Sequence, residues 1–436
     1  MANTLLTTSQ ITNRHLMVLQ NKLTTAGQVT REYDDRFAVA GAKIGATVNV
    51  RKPPRYIGTT GPALNVEDTN ETFIPVTLTT QFHVDTQFTT QDLTLSIDEY
   101  QDRIIMPAEA TVANKIDRDG QVTLYQNIAN AIGVPGNAPT SALSFLQAGA
   151  VLDSEAAPRD GQRAILLDPW TQASMADALK GLFNPQAAVA GMFQSGLLGK
   201  NTLGLDWYMD QNVVAYTVGA QGGSPQSASA SPTPGLASGW ASHYVLNTKG
   251  WSNGVNALNV GDVFTIAGVY AVNPQNRGVW GSNRLRQFVV LPSNGATAAQ
   301  STTYQGLGSP GTFTSGAGLL SVDIFPAPIY GGQFQNVFVA GGAGITASAN
   351  ITVVGTAGAV SPQNIVLHKN SFTLAMADLL MPTGVDMAAR ATDKNGGMTM
   401  RFVRQYTINN DALPARVDVL YGWAPLYPEL ACRVMG

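Results

Sequence analysis

The sequence predicts an α+β fold carrying an inserted all-β domain, and three observations lead there. Apolar residues repeat at helical spacing over a long stretch between Ile97 and Ile132. Strand and helix patterns alternate between Ser141 and Asn212. Between Gly219 and Gln363 only six residues are charged: Lys249, Asp262, Arg277, Arg284, Arg286 and Asp323.

Taken in order, Ile11, His15, Leu16, Leu19 and Leu23 mark a short amphipathic helix over Ile11–Thr25. Thr7 and Thr8 offer capping oxygens, and Gly27 is a stop. Ile44, Val48 and Val50 run as extended chain toward Pro53 and Pro54, because proline forces the residue before it out of the helical region. Phe73–Phe88, rich in Thr and Val, is a second extended stretch. In the long helical pattern, Tyr100, Ile104, Ala108, Val112, Ile116, Leu124 and Ile128 form one face, interleaved with charged residues. Pro107 inside this run predicts a kink or a break.

Ala164–Leu167 reads as a short strand. Asp168-Pro169 then supplies an N-cap and a first-turn proline for a helix through Ala173, Ala176, Leu179 and Leu182. The charge-poor segment opens with a low-complexity loop from Gly222 to Ala237. Strands follow at Asp262–Val269, Leu285–Leu291, Leu319–Phe325, Phe334–Val339 and Asn350–Val354, separated by turn residues. Mixed α/β character returns at Asn364, with Leu374, Ala375, Ala377 and Leu379, and a strand spans Arg416–Trp423. The result is a β-domain set into a mixed domain.

Composition narrows the function. Of 436 residues 44% are apolar, but only 13% are charged, roughly half the share of about 25% usual in soluble proteins. Such a chain must cover its surface with Ser, Thr, Asn, Gln, Gly and backbone. That surface suits large contacts with other subunits, since few charges need desolvating. The net charge is −3, and the densest basic cluster, Arg51 to Arg55, is too small for electrostatic nucleic-acid binding. The single cysteine, Cys432, excludes an intramolecular disulfide, fits a reducing compartment and reads as a small core residue. No charged segment leading into an apolar core opens the sequence, and no stretch reaches the ~18 apolar residues of a membrane span. A soluble protein made in a cytoplasm, with no membrane partner, is expected.

Tests for chemistry fail one by one. Gly250-Trp-Ser252-Asn-Gly254 fits a nucleophile elbow by letter, but Val255–Asp262 after it has no helical period, so a β-turn is the better account. Gly306–Gly311 matches a dinucleotide fingerprint, yet Pro310 denies it the following helix, so it is a loop. Gly196–Asn201 lacks the first glycine and the hydroxyl of a P-loop. His15, His83, His243 and His368 are scattered, without zinc-ligand spacing. No catalytic residue, cofactor or metal is expected, and a serine hydrolase using Ser252 is a remote alternative. Glu32, Asp34 and Asp35 form an acidic run, either a solvated face or a docking site.

Several segments resemble a known family. Gly45-Ala-Thr-Val-Asn-Val-Arg-Lys-Pro-Pro-Arg-Tyr56 looks like the lead into the extended loop of phage coat proteins. Ile97-Asp-Glu-Tyr100 and Ala113-Asn-Lys-Ile-Asp117 look like the start and middle of their spine helix. Asn364–Lys369 through Ala377, Asp418–Gly422 and Pro428–Arg433 look like their closing segments. In order and spacing these resemble tailed-phage major capsid proteins with the Hong Kong 97 fold, in the branch of the Salmonella phage P22 coat protein.

The resemblance implies an N-terminal arm (1–43), an extended loop (44–80) and a peripheral domain with a long spine helix (81–140). It further implies a first axial part (141–218), an inserted β-barrel domain (219–363) and a closing axial and peripheral part (364–436). Val260–Gly268 is similar to a strand of that insert. The implied function is self-assembly, as hexamers and pentamers, into an icosahedral head around packaged double-stranded DNA bound without sequence specificity. Implied partners are a scaffolding protein and a portal protein, with decoration proteins as further candidates. The implied location is the virion capsid, assembled in the bacterial host cytoplasm. Glu32, Asp34, Asp35, Arg51, Lys52 and Arg55 are the candidate scaffold or intersubunit contacts. A nanocompartment shell of the same fold is the alternative. A β-rich tail or adhesin protein is a further one, against which the spine helix and the α/β segment argue.

Overall fold

The computed structural model describes residues 16, 19, 23–33, 47–89, 106–139, 141–179, 203–228, 236, 239–254, 256–292, 307–308, 312–314, 317–341, 344–393 and 397–436. Strands β1 (Thr30–Tyr33), β2 (Thr47–Lys52), β3 (Thr72–Thr77) and β4 (Thr80–Thr89) precede helix α1 (Met106–Asn127). Then come β5 (Ala131–Gly133), α2 (Leu143–Ser154), β6 (Arg163–Leu167), α3 (Pro169–Leu179), β7 (Asp206–Met209) and β8 (Ala215–Thr217). The charge-poor segment holds β9 (Gly223–Ser227), β10 (Tyr244–Trp251), β11 (Asn256–Asn259), β12 (Val263–Ala271) and β13 (Leu285–Val290). It continues with β14 (Leu307–Gly308), β15 (Thr312–Thr314), β16 (Leu320–Phe325), β17 (Val337–Val339) and β18 (Ile351–Val353). The closing strands are β19 (Val360–His368), β20 (Phe372–Met376), β21 (Met387–Asp393), β22 (Met398–Arg404), β23 (Ala412–Pro425) and β24 (Ala431–Met435).

These elements form two units. The first comprises residues 1–50, 73–121 and 372–426; the second comprises 51–72, 122–371 and 427–436. In the first unit the strand order is β1-β20-β23-β22-β21, with β4 paired antiparallel along β23 from Thr80↔Tyr421 to Thr89↔Ala412. The helix contributes Val112 and Ile116, fully buried. Its buried Asp117 accepts the backbone N–H groups of Thr24 at 2.7 Å and Ala26 at 3.0 Å, tying down the turn after the N-terminal segment.

In the second unit one sheet runs β5-β24-β19-β6-β7, with β8 added on β19. Helices α2 and α3 contribute Phe145, Leu152 and Met175 to its core, beside Trp207 and Cys432. A second sheet of this unit runs β17-β12-β13-β16-β10-β9, with β18 also on β12, and every one of its pairings lies within residues 223–353. Its core gathers Phe264, Ile266, Phe288, Val290, Val322 and Ile324. An apolar seam joins these two sheets: Val263, Val289 and Leu291 pack with Ala129, Ala131 and Met435.

Several expectations need correction. The helical pattern does not reach Ile132: α1 stops at Asn127, and Ala131–Gly133 pair parallel with β24 instead. The kink or break expected at Pro107 turns on the residues before Met106, which lie outside the described residues. Residues 90–105 and most of 11–22 lie outside the described residues, as does Gly196–Asn201. The Gly222–Ala237 loop is partly strand, because β9 pairs with β10 through backbone bonds that need no side-chain pattern. Pro225 is tolerated there on the sheet's edge. The closing segment is not mixed: Leu374 and Ala375 lie in β20, and no α-helix follows Leu179 among the described residues. A strand buried on both faces gives a continuous apolar run, which periodicity cannot tell from a helix.

Candidate functional site

The cluster around Lys52 and Arg55 is where sequence-derived candidates converge in space. Strands β2 and β3 pair at the base of the loop, and Pro53-Pro54 carry the chain out between them. Lys52 Nζ sits 4.5 Å from the Tyr427 ring centroid and 5.8 Å from that of Trp240. Arg55 Nη2 lies 3.4 Å from Glu429 Oε1. Burial pushes the Lys52 ammonium below its ordinary range; Glu429 opposes that and Arg55 adds to it. Burial alone would raise the Glu429 carboxyl, yet Lys52 and Arg55 outweigh it and hold the group below the usual carboxylate range. The site is an anchor in which two cations share one buried carboxylate.

Farther out, Glu67 crosses the loop and accepts the backbone N–H groups of Ile57 and Gly58, both at 2.7 Å. Gly58 and Gly61 adopt positive φ, where a side chain would strain the turn. Arg277 Nη2 donates to Tyr56 O at 2.9 Å and Gln333 Nε2 donates to Asp68 O at 2.8 Å. Beyond these contacts the tip is apolar and open, with Leu64 92% and Val66 78% exposed.

Of the other candidates, Arg51 faces Glu71 at 3.4 Å on the surface. Glu32 lies in β1, its side chain outside the described set, and Asp34 and Asp35 lie outside the described residues. Sequence reasoning missed Glu429, Tyr427, Trp240, Arg277 and Gln333. Pro428-Glu429 stood inside a quoted segment, but nothing local marks the carboxylate as the partner of a residue 374 positions earlier.

Ser252 lies in the turn between β10 and β11, with no helix after it. Leu307–Gly308 and Thr312–Thr314 pair antiparallel, and residues 309–311 lie outside the described set. Cys432 is buried in β24, where burial pushes its thiol up to about 12 against the pull of Arg433. Among the described residues no group of three or more His, Cys, Asp or Glu could hold a metal ion. None of their helices is long and apolar enough to cross a membrane.

A protein-family model described as "P22 coat protein - gene protein 5" matches residues 1–436. The chain belongs to that family. This coat protein therefore has the Hong Kong 97-type capsid fold that the resemblance implied, and it is a subunit of a capsid shell. No curated protein matches its sequence. Solved structures similar to it include "Asymmetric unit of bacteriophage PhiM1 mature capsid", at 10% identity and TM-score 0.42, covering 95% of this chain and 86% of that one. "Capsid of Ralstonia phage GP4" has 9% identity and TM-score 0.42, covering 92% and 84%. A virus-like particle from Pyrococcus furiosus has 6% identity and TM-score 0.39, covering 96% and 95%.

Proposed function

We propose that this coat protein closes an icosahedral head of hexamers and pentamers around packaged double-stranded DNA of a tailed phage, and performs no catalysis. The observation that carries the reading is the contrast within one loop, anchored at its base while Leu64 and Val66 stand open at its tip. Large apolar side chains held out on a stitched loop mark a surface made to be covered by another protein. The basic residues support containment of DNA rather than grip, because Lys52 and Arg55 already face Glu429 and Arg51 faces Glu71.

A scaffolding protein, a portal protein and decoration proteins are the proposed partners, with assembly in the host cytoplasm. Glu32, Asp34 and Asp35 form the proposed dock for a basic scaffold helix, through pairs weakened by salt. The division into arm, loop, peripheral, axial and inserted parts belongs to the same reading. It is supported by β8 and β19, which pair on either side of the insert. Negative-stain microscopy of the expressed protein, with and without its scaffold, tests the proposal. Closed shells or curved polymers are expected; monomer alone under every salt and scaffold condition overturns it.

A further inference from the structure

We propose that the insert is a jig for the extended loop of its own chain, setting that loop's pose before any second copy is met. The argument begins with the loop's poverty of internal structure. Residues 53–71 contain no strand or helix, and the contacts across the loop are the two bonds to Glu67 and one between Tyr56 Oη and Thr69 Oγ1 at 3.2 Å. A connection of that length and composition samples many poses unless something outside it supplies partners.

Three separate connections of the insert supply them. The β12–β13 turn brings Arg277 to the Tyr56 carbonyl on the outgoing arm. The β16–β17 connection brings Gln333 to the Asp68 carbonyl on the returning arm, and Asn70 Nδ2 donates back to Gln333 Oε1 at 3.2 Å. The segment before β10 brings Trp240 to Lys52 at the base. Both arms are thus gripped by backbone carbonyls, which makes the grip indifferent to side-chain identity along the loop. Arg277 itself has φ +56°, a conformation that favours glycine, so an arginine stands where backbone ease alone would place another residue. Its guanidinium reach to Tyr56 is what that residue adds.

The consequence for assembly rests on the capsid reading: a preset loop has less freedom to lose when a neighbour receives it. The insert would then lower the concentration at which shells start, without itself touching the receiving copy.

The test is hydrogen exchange on the unassembled full-length subunit, comparing wild type with Arg277→Ala/Gln333→Ala. Exchange at Ile57 and Gly58, whose N–H groups bond to Glu67 across the loop, should accelerate about tenfold, roughly what losing one or two hydrogen bonds gives. Amides in β12, β13 and β16 should keep their protection, showing that the insert remains folded. Gln333→Glu, which keeps the acceptor for Asn70 but loses the donor to Asp68, should fall between the two. Unchanged loop exchange in the double variant, with the insert folded, overturns the jig. Loss of protection in β12 and β13 as well overturns it too, since the two residues would then be supports of the insert. The assembly arm is read separately: if wild type forms no shells, the capsid reading fails while the exchange result stands.

Discussion

Tyr216 donates its hydroxyl hydrogen to Asp262, joining β8 to the turn that opens β12. The same carboxylate accepts the backbone N–H groups of Asn259 at 2.7 Å and Gly219 at 3.2 Å. Arg433 from β24 and, beyond Tyr216, Tyr125 from α1 complete the charged and titratable surroundings. Gly261 must be glycine here, because a Cβ would come within 2.7 Å of the Tyr125 ring. Burial pushes the Asp262 carboxyl up to about 6, against the donors that favour its charged form.

That shift predicts a pH dependence. The folded protein keeps a proton on Asp262 that the unfolded chain gives up above about 3.8. Stability from this group is therefore present at low pH and lost as pH rises through about 6, by at most about 3 kcal/mol. Carboxylates held low, such as Asp153 by its hydrogen bond from Arg159, act in the opposite sense at lower pH. Asp262→Asn removes only the first effect. Unfolding free energies between pH 4 and 7 should fall more steeply with rising pH in wild type than in the variant; parallel curves would refute the assignment.

Glycine at position 120 makes a second, signed prediction. Gly120 lies in α1, and a Cβ there would sit 2.5 Å from Cζ2 of Trp423. The indole is held by its own N–H bond to Ile116 O at 3.2 Å, so it has little room to retreat. Gly120→Ala gains about 1 kcal/mol of helix propensity but overpacks at a cost of about 1–3 kcal/mol. Net destabilisation is expected. Gly149→Ala in α2, with nothing within 4 Å, should stabilise. Denaturant midpoints of the two variants must move in opposite directions.

Much of this architecture is legible in the sequence because its signals are local. Asp168-Pro169 announces α3, and Asp168 does cap it, accepting the N–H groups of Trp170 and Thr171 at 3.0 and 3.1 Å. Val263, Phe264 and Ile266 announce β12, whose inward residues fill the core of the sheet around it. What stays hidden is whatever depends on distant closure. Lys52, Trp240 and the Tyr427–Glu429 segment come from three places in the chain, and only the fold makes them neighbours. β9 is hidden for a different reason: Ser, Pro and Gln carry no strand pattern, and its backbone alone is recruited by β10.

The thiol of Cys432 should be inert in the folded subunit. It is fully buried, and a thiol pushed up to about 12 leaves almost no thiolate at pH 8. Ellman's reagent should label it only at the rate of unfolding. Labelling within seconds in the absence of denaturant would show that β24 is not packed as described.

The last prediction concerns Glu155 and Arg286, which meet across the seam between α2 and β13 with side chains 3% and 2% exposed. Arg286 also lies 6.0 Å from the Trp280 ring centroid, and the buried Glu429 carboxylate feels its charge too, so the guanidinium faces two carboxylates and one aromatic face. Burial pushes the Glu155 carboxyl up, and the Arg286 charge pulls it back only in part. Removing either partner strands the other's charge in the interior, at a cost of about 3–5 kcal/mol. The two single variants should nevertheless differ with pH. After Arg286→Met, Glu155 can take a proton, so the loss should shrink as pH falls from 8 to 5. After Glu155→Leu, the guanidinium has no such escape, and the loss should stay constant over that range. The double variant should recover most of the stability, because two apolar side chains pack where two charges were desolvated. Single losses that simply add in the double variant would show that the pair is not coupled and that the seam is held by its apolar residues alone.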